Sequence, residues 1–166
     1  MAKSKTNPKT FQTKIDINPN SRATLISILN QQLADTSDLY SQIKQAHWNV
    51  KGMEFQQLHE MFDMIAAKVE PFIDMLAERV TTLGGTAMGT TRMAAATSSL
   101  PEYPIISDGR DHLEAVIERL AAYAKSTRKA IRQTDKLDEP TTADLFTDIS
   151  REIDLSLYFL ESHLQS

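Results

Sequence analysis

AHWNVKG at 46–52, EFQQLHEMFD at 54–63 and FIDMLAER at 72–79 form the stretch around which the chain is organised. Together they carry His47, His59, Asp63, Asp74 and Glu78. Two imidazoles with three carboxylates make a mixed nitrogen–oxygen donor set that suits Fe(II). If residues 56–83 form one helix, His59 and Asp63 stand one turn apart, and so do Asp74 and Glu78. Yet His59 and Asp74 are separated by fifteen residues, roughly 22 Å at ~1.5 Å rise per residue. One ion cannot touch both pairs of a single helix.

Two copies of the helix could bring the pairs together. At ~100° per residue the four side chains fall within an arc of about 100°. The midpoint between the pairs lies near Lys68. Antiparallel helices crossing there about a two-fold axis would set the His59/Asp63 pair of one against the Asp74/Glu78 pair of the other. The spacing therefore suggests a metal site shared between identical subunits, two per dimer.

Composition narrows the class. At 166 residues, 41% hydrophobic and 24% charged, the chain reads as one globular domain with a substantial core. Few glycines and prolines and almost no strand-type turn signals point to an all-α fold. The absence of cysteine excludes disulfides, zinc fingers and thiol catalysis, and fits a cytoplasmic location. No apolar leader and no run of 18 apolar residues is present, so neither secretion by a standard signal nor membrane insertion is expected. The net charge of −4 is uneven: residues 1–15 hold Lys3, Lys5, Lys9 and Lys14 and no acid, leaving 14 basic against 22 acidic residues in the remainder. A basic tail on an acidic body suggests two kinds of partner.

Residues 1–19 are polar, Lys/Thr-rich and interrupted by Pro8 and Pro19, which predicts a mobile basic arm preceding a domain over 20–166. A first helix is expected from Asn20–Ser21 to about Gly52, with His47 on its buried side. The second should run from Phe55 to Leu83 and stop at Gly84–Gly85. Its apolar stripe is Leu58, Phe62, Ile65, Val69, Phe72, Leu76, Val80 and Leu83, and the metal candidates point away from it. Pro71 interrupts the backbone bonding of this helix, yet the stripe stays in phase across it, so a kink rather than a break is expected. Residues 84–107 read as a long crossover with a short helix around Met93–Thr97. Two further helices, from about Asp108 to Thr134 and from Pro140 onward, complete a four-helix bundle with one long crossover. His112 and His163 lack convergent carboxylates and read as surface residues.

Three other chemistries fit poorly. HEMFD places Asp63 where a metalloprotease needs its second histidine. No Glu is followed by a His three residues later, so the usual in-bundle di-iron pattern is missing. No Ser/His/Asp set suggests a nucleophile.

The segments KQAHWNVKG, LHEMFD, IDMLAERVTTLGGTAMGTT, DHLE and SREIDLSLYFLES together resemble the Dps family, the DNA-binding proteins from starved cells or mini-ferritins. The likeness spans nearly everything after the first dozen residues. It implies a ferritin-like bundle assembled into a hollow dodecamer that oxidises Fe(II), typically with hydrogen peroxide, and stores the ferric mineral. It further implies that His47, His59 and Asp63 come from one subunit and Asp74 and Glu78 from its two-fold mate. Trp48 falls at a position associated with absorbing oxidising equivalents. Glu139, Asp144 and Asp148 resemble acids lining three-fold iron-uptake pores. The lysine arm resembles those of members that bind DNA without sequence preference, which would make the particle nucleoid-associated. Two competing expectations remain open: a DNA-compacting particle with an idle metal site, and a bundle holding zinc as a substitute ion.

Overall fold

The computed structural model describes residues 8–165. Five helices follow in order: α1 (Pro19–Asn49), α2 (Phe55–Thr82), α3 (Thr91–Thr97), α4 (Gly109–Asp135) and α5 (Pro140–Glu161). Among the described residues there is no strand, only an isolated bridge between Lys51 and Asp108. Among the described residues no helix is long and apolar enough to cross a membrane. The four long helices form the expected all-α bundle, with α1 along α2, α4 along α5, and α1 also against α4. Lys3 and Lys5 lie outside the described residues.

Each helix begins where local chemistry satisfies its free N–H groups. Helix α1 starts one residue earlier than expected because Pro19 takes the first helical position and Asn18 caps it, accepting from the Asn20 N–H at 2.9 Å. Asp108 caps α4 in the same way. Helix α2 passes through Pro71 unbroken. It ends at Thr82, two residues before Gly84, whose φ of +80° supplies the left-handed turn, and the Gly85 N–H returns to the Val80 carbonyl at 2.9 Å.

The core is built from the predicted stripes. Leu29, Leu33 and Ile43 of α1 meet Phe62, Ile65 and Val69 of α2, Leu120 and Tyr123 of α4, and Phe146 and Ile149 of α5. Two of its polar exceptions find partners: Thr36 Oγ1 and Tyr123 Oη are 2.6 Å apart, and Gln32 reaches Ser126.

A polar seam fastens the crossover to α1. Gln31, Asp35, Asp38 and Gln42 follow one another at intervals of four, three and four residues, hence along one face. Gln31 donates to the Thr97 carbonyl, Asp35 accepts from Ser99 N–H at 2.7 Å, Asp38 accepts from Ser98 Oγ at 2.6 Å, and Gln42 donates to the Pro101 carbonyl. Arg119, itself buried, closes the far end by donating to the carbonyls of Pro101 and Glu102.

Two expectations need correction. The segment read as a mobile arm over 1–19 is held down in part. Phe11 N–H donates to the Gly84 carbonyl at 2.7 Å, and Lys9 C=O accepts from Thr86 Oγ1 at 2.7 Å. A Cβ on Gly84 would run into the Phe11 carbonyl, so that glycine is needed for its turn and for this close approach. His112 is not a surface residue but 1% exposed, with Nδ1 2.8 Å from Tyr103 Oη. Its partner arrives from the irregular crossover, which helical periodicity does not reveal. His163 is exposed, as expected.

Candidate metal centre

The turn at 50–54, with Gly52 at φ +117°, folds α2 back along α1. Residues twelve apart in the chain thereby meet. The His47 and His59 rings stack with centroids 3.8 Å apart and planes inclined by 23°. Each Nδ1 lies 2.8 Å from the backbone carbonyl of the other histidine. A carbonyl can only accept, so both Nδ1 atoms carry a proton, and Nε2 is the nitrogen each ring keeps for a metal. Such fixing of one ring nitrogen is how proteins orient imidazole toward metals. Phe55 tilts against the other side of His59 at 5.1 Å.

Asp63 stands one turn beyond His59, with its Oδ1 4.0 Å from His47 Nε2. Its immediate partner is Lys44, whose Nζ sits at 2.5 Å. The hydrogen bond from Lys44 holds the Asp63 carboxyl below the usual carboxylate range, against the opposing effect of desolvation and with further help from the charge of Lys44. The same ammonium lies 5.8 Å from the Trp48 ring, which is 62% exposed and has no place in the core. Lys44 was not among the expected site residues, although its position three residues before His47 puts it on the same helical face.

His47, His59, Asp63, Gln56, Glu60 and Met64 line one open depression of about 500 Å³, shared with Ala67. Asp74 and Glu78 do not reach it; both are exposed farther along α2. Among the described residues no three His, Asp or Glu side chains of one chain converge as a metal set. The stacked rings explain part of this, because nearly parallel planes cannot aim both in-plane lone pairs at one point. The remaining carboxylates are simply too far along the helix. A larger groove of about 1040 Å³, between α1 and the crossover, contains Lys9, Arg92 and Met88 but no cluster of metal-binding groups.

The three acids near the start of α5 separate into two kinds. Glu139 is buried and caps α5, accepting from the N–H groups of Thr141 and Thr142 at 3.2 and 2.9 Å. Arg79 Nη2 lies 3.1 Å from the same carboxylate. Burial alone would raise the Glu139 carboxyl, but the hydrogen bonds from Thr142 and Arg79 outweigh it and hold it low. This side chain is occupied as a cap. Asp144 and Asp148 are exposed, and Asp148 pairs with Arg151 on its own helix, at 3.0 Å. Lys9 and Lys14 are exposed.

Comparison with known proteins gives a consistent result. The ferritin-like domain profile matches residues 26–166. The DNA protection during starvation protein of Agrobacterium fabrum is 46% identical over 158 residues, covering 95% of this chain and 98% of that protein. Among solved structures, DpsA14 from Streptomyces coelicolor superposes with a TM-score of 0.90 at 30% identity, covering 97% and 96% of the two chains. Mycobacterium smegmatis Dps also gives 0.90, at 28% identity over 95% and 96%. The bundle and its long crossover thus have their counterpart over nearly all of the chain, which belongs to the ferritin-like Dps family of DNA-protection proteins.

Proposed function

We propose that this protein is a ferroxidase and iron store whose site forms only between two copies of the chain. Fe(II) is the substrate, held by His47, His59 and Asp63 of one copy with Asp74 and Glu78 of the second. The observation that carries this reading is the reciprocal locking of the two imidazoles through Nδ1, which leaves Nε2 for a metal on both rings, that of His47 4.0 Å from Asp63 Oδ1. Exposed Asp74 and Glu78 on the same helix supply the complementary half.

The ring geometry favours two ions per site. A metal–imidazole bond is about 2.1 Å long and lies near the ring plane. Rings stacked 3.8 Å apart therefore suit one ion each rather than a common ion. Two Fe(II) then give up one electron each. Hydrogen peroxide takes both, its O–O bond breaks, and two protons complete two waters. Carboxylates stabilise Fe(III) more than Fe(II), which favours the electron loss, and a two-electron reduction releases no hydroxyl radical.

The finer assembly follows the family: a hollow dodecamer with a ferric mineral inside, acting in the cytoplasm to protect DNA. Asp144 and Asp148 remain suited to drawing cations inward. Glu139 is better read as structural. Lys9 and Lys14, with Lys3 and Lys5 outside the described residues, form the candidate DNA contact, in which many weak arms on one particle act together. Fe(II) is added anaerobically, then peroxide, and ferric absorbance is followed. Equal rates for wild type and a His47→Ala/Asp74→Ala double variant would remove the ferroxidase reading.

A further inference from the structure

Seven methionines are present, and two of them stand where the proposed chemistry takes place. Met64 lines the depression holding His47, His59 and Asp63, and its side chain remains 42% exposed. Met75 is 40% exposed and follows Asp74 just as Met64 follows Asp63. This Asp-Met pair repeats after eleven residues, close to three whole helical turns, so both thioethers lie on nearly one face. In the antiparallel crossing about Lys68, residue n of one copy lies level with about residue 137 − n of the other. Asp63 then faces Asp74, and Met75 of the second copy lies within a turn of Met64.

Resting on that shared-site reading, we propose that Met64, with Met75 of the second copy, is a sacrificial reductant for hydrogen peroxide that arrives at the site and is not used by iron. The sulfur donates an electron pair to one peroxide oxygen and the O–O bond breaks. The departing oxygen leaves as water with both protons, and the thioether becomes a sulfoxide. Sulfur is oxidised by two electrons and peroxide is reduced by two, so no radical forms. Thioethers are apolar, polarisable and reversibly oxidised, and enzymatic reduction of the sulfoxide restores them. They would shield the neighbouring imidazoles and Trp48 from the same oxidant. Sulfoxide formation would also turn a contact between copies polar, coupling oxidant exposure to the strength of pairing.

The test uses the whole particle and peptide mass spectrometry. Methionine oxidation is mapped after peroxide alone and after Fe(II) followed by peroxide. Met53, fully exposed on the α1–α2 turn, and Met93, 37% exposed on α3, serve as internal references. A site that concentrates peroxide should raise the Met64-to-Met53 sulfoxide ratio roughly five-fold or more when iron is present. In Met64→Leu, which keeps the apolar size, the added oxygen should appear on His47, His59 or Trp48 over repeated peroxide additions. Normal iron oxidation with an unchanged ratio, or with Met53 leading under both conditions, overturns this inference and leaves the ferroxidase reading intact. Failure to oxidise iron at all overturns both.

Discussion

The shared site can be tested by complementation. The His59/Asp63 pair and the Asp74/Glu78 pair lie roughly 22 Å apart on one straight helix, so each chain contributes two different halves. His59→Ala destroys one half and Asp74→Asn the other. Particles made of either variant alone should lose peroxide-driven iron oxidation at least about ten-fold, the scale expected for a group that holds or orients a metal. Co-expressed with two affinity tags and purified on both, the variants form mixed particles. A complete site then needs its histidine half from an Asp74→Asn chain and its carboxylate half from a His59→Ala chain. Random pairing meets both conditions at about one site in four, so mixed particles should recover about a quarter of the wild-type initial rate. Stopped-flow absorbance of Fe(III) after anaerobic iron loading measures it. A mixture no faster than its parents, with intact particles by mass, refutes the geometry. So would a full wild-type rate in either parent.

Other predictions follow from the neighbouring groups. Lys44→Gln removes the cation in contact with Asp63; divalent metal should bind several-fold more tightly by anaerobic calorimetry, and an unchanged affinity would show that Lys44 does not compete. Glu139→Gln should lower stability by about 1–2 kcal/mol through the lost cap and ion pair. It should not slow iron uptake, whereas Asp144→Asn/Asp148→Asn should; the opposite pattern would make Glu139 a pore acid after all. Burial lowers the His112 imidazole below its ordinary value, against weaker opposing effects from nearby carbonyls and acids. The unfolded chain therefore takes up a proton first, so this contribution to stability is present above about pH 6.5 and is lost as pH falls through the lowered folded value. His112→Phe should flatten that part of the thermal-stability profile, and an unaltered slope would contradict the assignment. Deleting residues 1–8, which spares the Phe11–Gly84 contact, should weaken DNA binding in gel shifts at low salt; unchanged retention would exclude those residues as the contact.

Helical periodicity carried most of the architecture. Leu58, Phe62, Ile65 and Val69 repeat with the period of a buried stripe, and Gly84–Gly85 mark the stop, so α2 was readable to within a residue of its end. The His59/Asp63 pair was likewise visible as one helical turn. What periodicity cannot show is what meets a helix from irregular chain. Tyr103 comes from the crossover to bury His112, Arg79 comes from another helix to hold Glu139, and the mutual locking of His47 and His59 depends on the turn that stacks them. Lys44 and Met64 were legible as neighbours of the ligands on their helices, but their relation to Asp63 and to the depression required coordinates.

The seam from Gln31 to Gln42 has a consequence well away from the crossover. A greasy interface tolerates a helix sliding or rolling by a few degrees, whereas directional bonds to Thr97, Ser98, Ser99 and Pro101 index α1 like teeth on a ratchet. The azimuth thus set is inherited by His47, five residues beyond the last tooth. Blunting one tooth, for instance with Asp35→Ala, should be felt as a misaimed imidazole roughly 18 Å down the axis.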